Sequence, residues 1–394
     1  MFELQSQQKN KRTGLLKTKS GVIKTPFFMP IATKGAVKNM TPEDVREIGA
    51  QIVLGNTYHL WLRPGDELIS RAGGLHKFMN WNGPILTDSG GYQVFSLGAR
   101  AKDKYGSSGV VLSEKGVEFA DPVNGSRHFM SPEKSIEIQL NLGSDMIMVL
   151  DECPPHPATH EYVKRSLELT TRWASRCFQY FHQKIKENPE KYANGRPLLF
   201  CIVQGGIYED LRKESARQLA SIGFESLGGP SSGWDGWAIG GVAVGEPRKH
   251  LYDILDWVVP LLPEDKPRYL MGLGKPEELV RAVEAGMDMF DCVIPTREGR
   301  HGRLFVVKRI PNSKFQIPND TEKESFYETI NIANEQFTED FAPIDADCNC
   351  CACRNYTKAY LHHLLRTNEP LFLKLASAHN LRFYHELMEF LEET

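Results

Sequence analysis

MDMFDCVIPTREGRHGR (Met287–Arg303) is the stretch on which the fold turns. A short, mostly apolar run, Met287–Phe290, ends in one carboxylate, Asp291, and Pro295 marks a turn. Arg297, Arg300, His301 and Arg303 then fall within seven residues. Short apolar runs that do not alternate suit parallel strands covered on both faces. A carboxylate at the mouth of such a strand, beside a basic strip, suits chemistry on a polyanion. Taken alone, the same residues also fit a strand-end acid paired with an arginine and followed by a solvated loop.

Working outward, the unit of apolar run, polar punctuation and amphipathic helix recurs. Eight runs are readable: Phe27–Met29, Ile52–Leu54, Ile85–Leu86, Met146–Leu150, Leu198–Val203, Trp237–Ile239, Tyr269–Met271 and Met287–Phe290. Helices lie between them. Thr41-Pro42-Glu43-Asp44 is an N-cap with proline at the first helical position, and Ser131-Pro132-Glu133 repeats the device, with Gly143 as a stop. His160–Lys186 is the longest; Leu211–Ile222, Leu251–Val258 and Leu279–Met287 complete the set. Eightfold alternation predicts the α/β class and a closed (β/α)8 TIM barrel. A doubly wound open sheet is the runner-up, but the glycine-rich dinucleotide fingerprint is missing.

Two stretches break the alternation. Gly98–Arg127 holds an inserted hairpin, Val110–Leu112 and Val117–Phe119 around Lys115-Gly116. After about Pro295 come a strand-like Leu304–Val307, a polar segment Pro311–Asp340, a cysteine cluster, and helical Tyr356–Leu365 and Leu381–Leu391. Residues 1–294 therefore read as the barrel, opened by an N-terminal hairpin at Leu15–Thr18 and Val22–Lys24, and residues 295–394 as a smaller lobe docked on it.

The chain has 394 residues, 41% of them hydrophobic and 25% charged, with net charge −3, so a nucleic-acid site must be a local basic patch. No apolar run approaches the ~18–20 residues that cross a bilayer, and MFELQSQQKNKRTG is no secretory signal, so no membrane partner and a cytoplasmic location are expected. Four of eight cysteines crowd into Cys348–Cys353, a metal pattern in a reducing compartment. Cys348, Cys350 and Cys353 supply three thiolates for a closed, structural site, and the fourth ligand is Cys351, His362, His363 or His379, the last read as starting a loop.

Barrel chemistry collects at the C-terminal ends of the strands. Those ends read Asp88-Ser89-Gly90-Gly91-Tyr92, Asp151-Glu152-Cys153, Gln204-Gly205-Gly206, Gly240-Gly241, Met271-Gly272-Leu273-Gly274 and Asp291. A strand-end Asp often only caps the next helix, but acids, an amide and paired glycines at successive ends are hard to assign to capping alone. Glycines admit close approach, carboxylate and amide read a flat polar heterocycle, and Tyr92 with Met271 can sandwich the ring. The serine elbow and Walker lysine spacings are missing.

These segments, in order from about Gly14 to His379, resemble the bacterial tRNA-guanine transglycosylases, or queuine tRNA-ribosyltransferases. The resemblance is carried by GNTYHL (Gly55–Leu60), TDSGGYQVFSL (Thr87–Leu97), DEC (Asp151–Cys153), VQGG (Val203–Gly206), AIGGVAVGE (Ala238–Glu246), YLMGLGKPEE (Tyr269–Glu278), FDCVIPTREGRHG (Phe290–Gly302) and C-x-C-x2-C with His379. It implies exchange of the wobble guanine in tRNAs for tyrosine, histidine, asparagine and aspartate for a 7-deazaguanine, in queuosine biosynthesis. By resemblance Asp291 is the nucleophile on the ribose and Asp88 the general acid/base. Asp88, Ser89, Gly90, Gly91, Tyr92, Asp151, Gln204, Gly240, Gly241 and Met271 line the base pocket. Gly272, Leu273, Gly274, Lys275, Pro276, Glu277 and Glu278, with Thr296, Arg297, Glu298, Gly299 and Arg300, hold the RNA. Cys348, Cys350, Cys353 and His379 become the ligands of one structural Zn2+ per chain. Partners implied are the tRNA anticodon arm, guanine, 7-aminomethyl-7-deazaguanine and a second copy of the chain. Val242 replaces the family's usual leucine, and Gly228–Asp235 is longer than usual; both are expected at the pocket rim. Val244 and Cys153 fit the bacterial subtype. Two rival readings are a noncatalytic tRNA-binding subunit and a zinc-stabilised nucleoside hydrolase.

Overall fold

The computed structural model describes residues 1–96, 109–223, 233–242, 245–308, 315, 317–318 and 325–394. Its central sheet is parallel, in the order Phe27–Met29, Met289–Asp291, Arg268–Leu270, Gly236–Ile239, Leu198–Val203, Met146–Met148, Ile85–Thr87, Val53–Gly55, Ile31–Ala32. The two ends of that order are consecutive pieces of one chain segment, split at Pro30. Proline has no N–H to give a ladder. Phe27–Met29 therefore pairs with Met289–Asp291, and Ile31–Ala32 with the second strand. The carbonyl of Pro30 still accepts from Leu54 N at 3.0 Å. The nine pieces are eight staves of a (β/α)8 barrel, as the alternation of runs predicts. Apart from the half-buried Ile31 and Leu198, every stave residue is buried, which is why the runs are apolar throughout and do not alternate.

Stave limits differ from the apolar runs by one or two residues. The eighth stave includes Asp291 and starts at Met289, because Asp288 already faces the bottom of the barrel. The expected caps are present: Thr41 and Asp44 form a capping box, and Ser131 accepts from Lys134 N ahead of a left-handed Gly143. The long helix runs His160–Glu187. After the second stave the chain makes three short helices, Thr57–Leu62, Asp66–Arg71 and Gly74–Met79.

Both expected hairpins gain a strand. Phe2–Gln8, Lys11–Lys17 and Val22–Thr25 form a three-stranded antiparallel sheet; Phe2–Gln8 is almost wholly exposed and so carries little apolar signal. The insertion is likewise three-stranded, Val110–Ser113, Gly116–Ala120 and Arg127–Met130, with residues 97–108 outside the described residues.

The N-terminal sheet closes the barrel bottom. Arg12 reaches Asp288 through two hydrogen bonds of 2.9 and 2.7 Å, and both side chains are buried. The C-terminal region holds the pair Arg303–Val307 and Tyr327–Asn331, the helices Cys351–Asn355 and Lys358–Arg366, and a 24-residue helix, Pro370–Glu393. The expected Leu381–Leu391 helix is only the second half of the last. A small core around Leu304, Ile332, Phe337 and Phe372 surrounds the cysteines, whereas Leu381, Tyr384, Leu387 and Leu391 belong to the barrel's own core.

Pro295 is not a turn. It opens the helix Ile294–Arg300, whose Gly299 lies so close to the C-terminal helix that a Cβ would sit 2.9 Å from Ala376 O. Asn380 fixes that contact, donating to Pro295 O (3.0 Å) and Arg303 O (2.9 Å) while accepting from Phe305 N (3.1 Å). The C-terminal helix thereby holds the segment that leaves the eighth stave.

Candidate active site and metal centre

Asp88 follows the third stave, half-buried. Its Oδ2 accepts from Asn56 Nδ2 (2.5 Å) and its Oδ1 from Thr57 N (2.7 Å), while Thr57 Oγ1 donates to its carbonyl (2.5 Å). Burial pushes its carboxyl up to about 6; hydrogen bonds from Asn56, Thr57 and Gln93 pull it down, and the Asp291 charge adds to the rise. Asp88 follows the third stave and Asp291 ends the eighth, and because the staves run parallel both acids stand at the C-terminal mouth of the barrel.

Asp291 ends the eighth stave and is 8% exposed. Tyr269 Oη (2.6 Å) and Gly272 N (2.8 Å) both donate to its Oδ1. Among the described residues, Oδ2 receives no hydrogen bond and no cation pairs with the carboxylate. Burial raises its pKa, opposed only by those two donors. Burial first, and then the charge and hydrogen bond of Asp291 and the charge of Asp88, push the Tyr269 phenol well above its ordinary range.

Asp151 follows the fourth stave. Its Oδ1 accepts from Ser89 Oγ (3.1 Å) and its Oδ2 from Gln204 Nε2 (2.7 Å). Burial pushes this carboxyl up to about 6. Gln204 donates through its nitrogen and leaves Oε1 buried without a partner. The glycines serve these side chains first. A Cβ on Gly241 would lie 2.5 Å from Gln204 Oε1, one on Gly240 2.8 Å from Gln204 Nε2, and one on Gly91 2.6 Å from Asp151 O. Gly90 has φ +83° and packs on Met130. Beneath the pair, the buried Arg212 guanidinium donates to the carbonyls of Val203 (3.0 Å), Gly206 (2.7 Å), Gly240 (2.7 Å) and Gly241 (3.0 Å). Met271 is half-buried at the end of the seventh stave, and Tyr92, on the helical residues 91–96, is half-exposed.

Cys348, Cys350, Cys353 and His379 bring one ligand atom each within 4.8 Å of one another, all buried. His379 does not begin a loop; it lies inside the helix Pro370–Glu393. Its Nδ1 faces the three sulfurs at 3.8, 3.7 and 3.3 Å, and its Nε2 donates to Phe305 O at 2.7 Å. That second hydrogen bond fixes the ring and leaves Nδ1 free to ligate, as at protein metal sites generally. His362 instead meets Ile332 O (2.8 Å), and Cys351 is outside the cluster. A buried Cys3His set can hold a metal and leaves no open position on a tetrahedral ion.

A family model described as queuine tRNA-ribosyltransferase matches residues 7–393. The chain belongs to the queuine tRNA-ribosyltransferase family. It is 49% identical over 392 residues to a queuine tRNA-ribosyltransferase of Tolumonas auensis, covering 100% of this chain and 92% of that one. It is 50% identical over 387 residues to one of Vibrio atlanticus, covering 98% and 90%. The protein is thus a pentosyltransferase that modifies tRNA.

In this family member the two expected RNA segments flank Asp291 on neighbouring staves. Gly272, Leu273 and Gly274 form the loop after the seventh stave. Lys275 is exposed, and Pro276–Glu284 is a helix. Glu277 and Glu278 are engaged internally: Arg248 lies 2.9 and 3.2 Å from them, Tyr327 Oη donates to Glu277 (2.8 Å), and Glu278 accepts from Lys275 N (3.0 Å). Thr296 and Gly299 are buried in the next helix, Glu298 lies 3.7 Å from Arg297 and 3.6 Å from Arg303, and Arg300 leaves one buried guanidinium nitrogen without a partner.

One expectation about the rim is corrected. Gly233, Trp234 and Asp235, the described end of Gly228–Asp235, lie before the sixth stave, at the mouth opposite the acids. There Asp235 pairs with Arg196 (2.6 Å) and accepts from Leu199 N (2.9 Å). Residues 228–232 and Val244 are outside the described residues, and Val242 is buried. Sequence reasoning did not single out Asn56, Thr57, Tyr269 or Arg212. Asn56 and Thr57 stand just past the second stave, where its own strand-end rule would have found them. Tyr269 stands inside an apolar run, and Arg212 inside the helical stretch Leu211–Ile222, so neither carries a signal of its own in the sequence.

No helix among the described residues is long and apolar enough to cross a membrane.

Proposed function

We propose that the protein exchanges the wobble guanine of tRNAs for tyrosine, histidine, asparagine and aspartate for 7-aminomethyl-7-deazaguanine, through a covalent Asp291–ribose intermediate. One observation carries this reading. Asp291 holds both of its hydrogen bonds on Oδ1, which leaves Oδ2 without a partner among the described residues, at the same barrel mouth where a second carboxyl, Asp88, follows the third stave. In the first half-reaction, Oδ2 bonds to the anomeric carbon as the bond to the guanine nitrogen breaks. The electron pair leaves with the base, and protonated Asp88 supplies its proton. In the second, ionised Asp88 takes the proton from the incoming base nitrogen, which displaces Asp291. Two inversions retain the configuration, as in retaining glycosidases.

A carboxyl with a pKa of about 6 can serve as acid and base near neutrality. In the pocket, Asp151 and the unpartnered Gln204 Oε1 accept from the amino and ring N–H groups of a guanine-type base. The base must leave the anticodon stack to reach them. Lys275, Arg297 and Arg300 grip phosphates, so affinity falls with salt. Glu277 and Glu278 serve by holding their helix.

Zn2+ is the ion proposed at Cys348, Cys350, Cys353 and His379; its role is to tie the C-terminal helix to the cysteine loop. Chelation should lower the melting temperature with a zinc-to-chain ratio of one lost in parallel; turnover abolished without any change in melting contradicts a structural role. A homodimer, tested by sedimentation, completes the reading.

The deciding experiment incubates the protein with an anticodon stem–loop and traps the covalent RNA adduct under mild denaturation. The adduct and radiolabelled guanine exchange should both vanish in Asp291→Ala; exchange that persists there rules the mechanism out.

A further inference from the structure

We propose that Tyr384 is a positioning residue for the Asp291 carboxylate, acting through the loop that follows the seventh stave. This rests on reading Asp291 as the nucleophile. Tyr384 sits on the C-terminal helix, wholly buried, 93 residues beyond Asp291 in the chain. Its hydroxyl donates to Gly274 O at 2.5 Å. The same carbonyl lies 3.6 Å from Cys292 Sγ, and Cys292 directly follows Asp291. A Cβ on Gly274 would be 2.1 Å from that sulfur, so the loop and the nucleophile's strand touch with no room for a side chain. Two residues earlier in the loop, Gly272, at φ +73°, gives its N–H to Asp291 Oδ1 at 2.8 Å. Tyr384 Oη, the Gly274 carbonyl, the Gly272 N–H and Asp291 Oδ1 therefore form one connected path.

Packing alone does not explain the hydroxyl. The Tyr384 ring lies 4.9 Å from Phe28 and 5.6 Å from Phe305, a setting that phenylalanine would fill as well. A buried hydroxyl is costly unless hydrogen-bonded, and its acceptor here is a carbonyl of the catalytic loop. The path has two consequences for Asp291. The Gly272 N–H favours the ionised carboxylate that must attack, and it holds Oδ1 so that Oδ2 faces the sugar. Loosening Gly274 releases both.

The test is Tyr384→Phe in the full chain, assayed with an anticodon stem–loop. Expected are a fall in kcat of about 10-fold, KM for base and stem–loop within about twofold, and an acid limb of kcat displaced upward by about half a pH unit. Faster amide exchange at residues 272–275 should accompany them. An unchanged kcat and limb, with only a lower melting temperature, overturns the proposal. Should Tyr384→Phe fail to fold, Cys292→Ala removes the other group on the same carbonyl; the limb should again move up, and an unmoved limb overturns the proposal. Asp291→Asn separates the two claims. If it still exchanges base, the nucleophile reading fails whatever Tyr384 does. If it is inactive while Tyr384→Phe behaves as wild type, only the positioning role fails.

Discussion

Two aspartates three residues apart, Asp288 and Asp291, bracket the eighth stave, and they are built in opposite ways. Asp288 lies at the bottom, where Arg12 grips both oxygens and Arg268 N adds a third hydrogen bond at 2.7 Å. Asp291 lies at the top, with two donors on one oxygen and, among the described residues, no cation and no partner for its other oxygen. Burial raises the pKa of both, and only at Asp288 does a guanidinium oppose it. The same contrast runs through the barrel: Asp235 with Arg196 below, Asp88 and Asp151 with no arginine partner among the described residues above. Groups saturated by the protein hold the fold, and groups left partly satisfied are available to a substrate.

The sharpest break of the comparison is Asp291→Asn. Base exchange should fall by about 10^4-fold or more, as for removal of other covalent nucleophiles. Its stability should not fall. A carboxyl raised in the folded state lends stability at low pH that is lost as pH rises through its folded pKa. The amide should therefore match or exceed the wild-type melting temperature at pH 8, with the advantage shrinking towards pH 4. A large loss of stability would show that Asp291 is structural after all.

Arg12→Ala is the converse. It strands a buried charge and should cost about 3–5 kcal/mol in denaturant unfolding, while kcat per folded molecule stays near wild type. Asp88→Asn comes next: exchange should drop by about 10^2–10^4-fold, and the limb near pH 6 in the rate profile should vanish. The smallest effect is at Asp151. Its pKa of about 6 means stability present below about pH 4 and lost through pH 6, so Asp151→Asn should remove about 3 kcal/mol of that pH dependence. An unaltered stability–pH curve would show that the carboxyl is not strained by burial.

Some of this was legible in the chain. Buried parallel strands need apolar residues on both faces, so the eight runs could be counted, and the acids of the candidate site stood at their polar ends. The cysteine spacing likewise pointed to a loop whose thiols converge in a cluster that could hold a metal. The exposed strand Phe2–Gln8 was not legible, because a solvated edge needs no apolar pattern. Nor was the helix at Pro295, since proline serves a turn and a first helical turn equally well.

By itself, the sequence determined the barrel, the identity of its acids and three of the four cluster residues, because local periodicity and spacing encode them. Tertiary structure alone decided that Asp288 would be neutralised and Asp291 left open, that His379 would meet the cysteines from inside a helix, and that Tyr384 would reach Gly274. Those outcomes depend on partners 19 to 276 residues away in the chain, such as Gly272 for Asp291, Cys353 for His379 and Arg12 for Asp288. Only the packed fold brings such partners together, because hydrogen bonds and charge neutralisation act over a few ångströms in space whatever the separation in sequence.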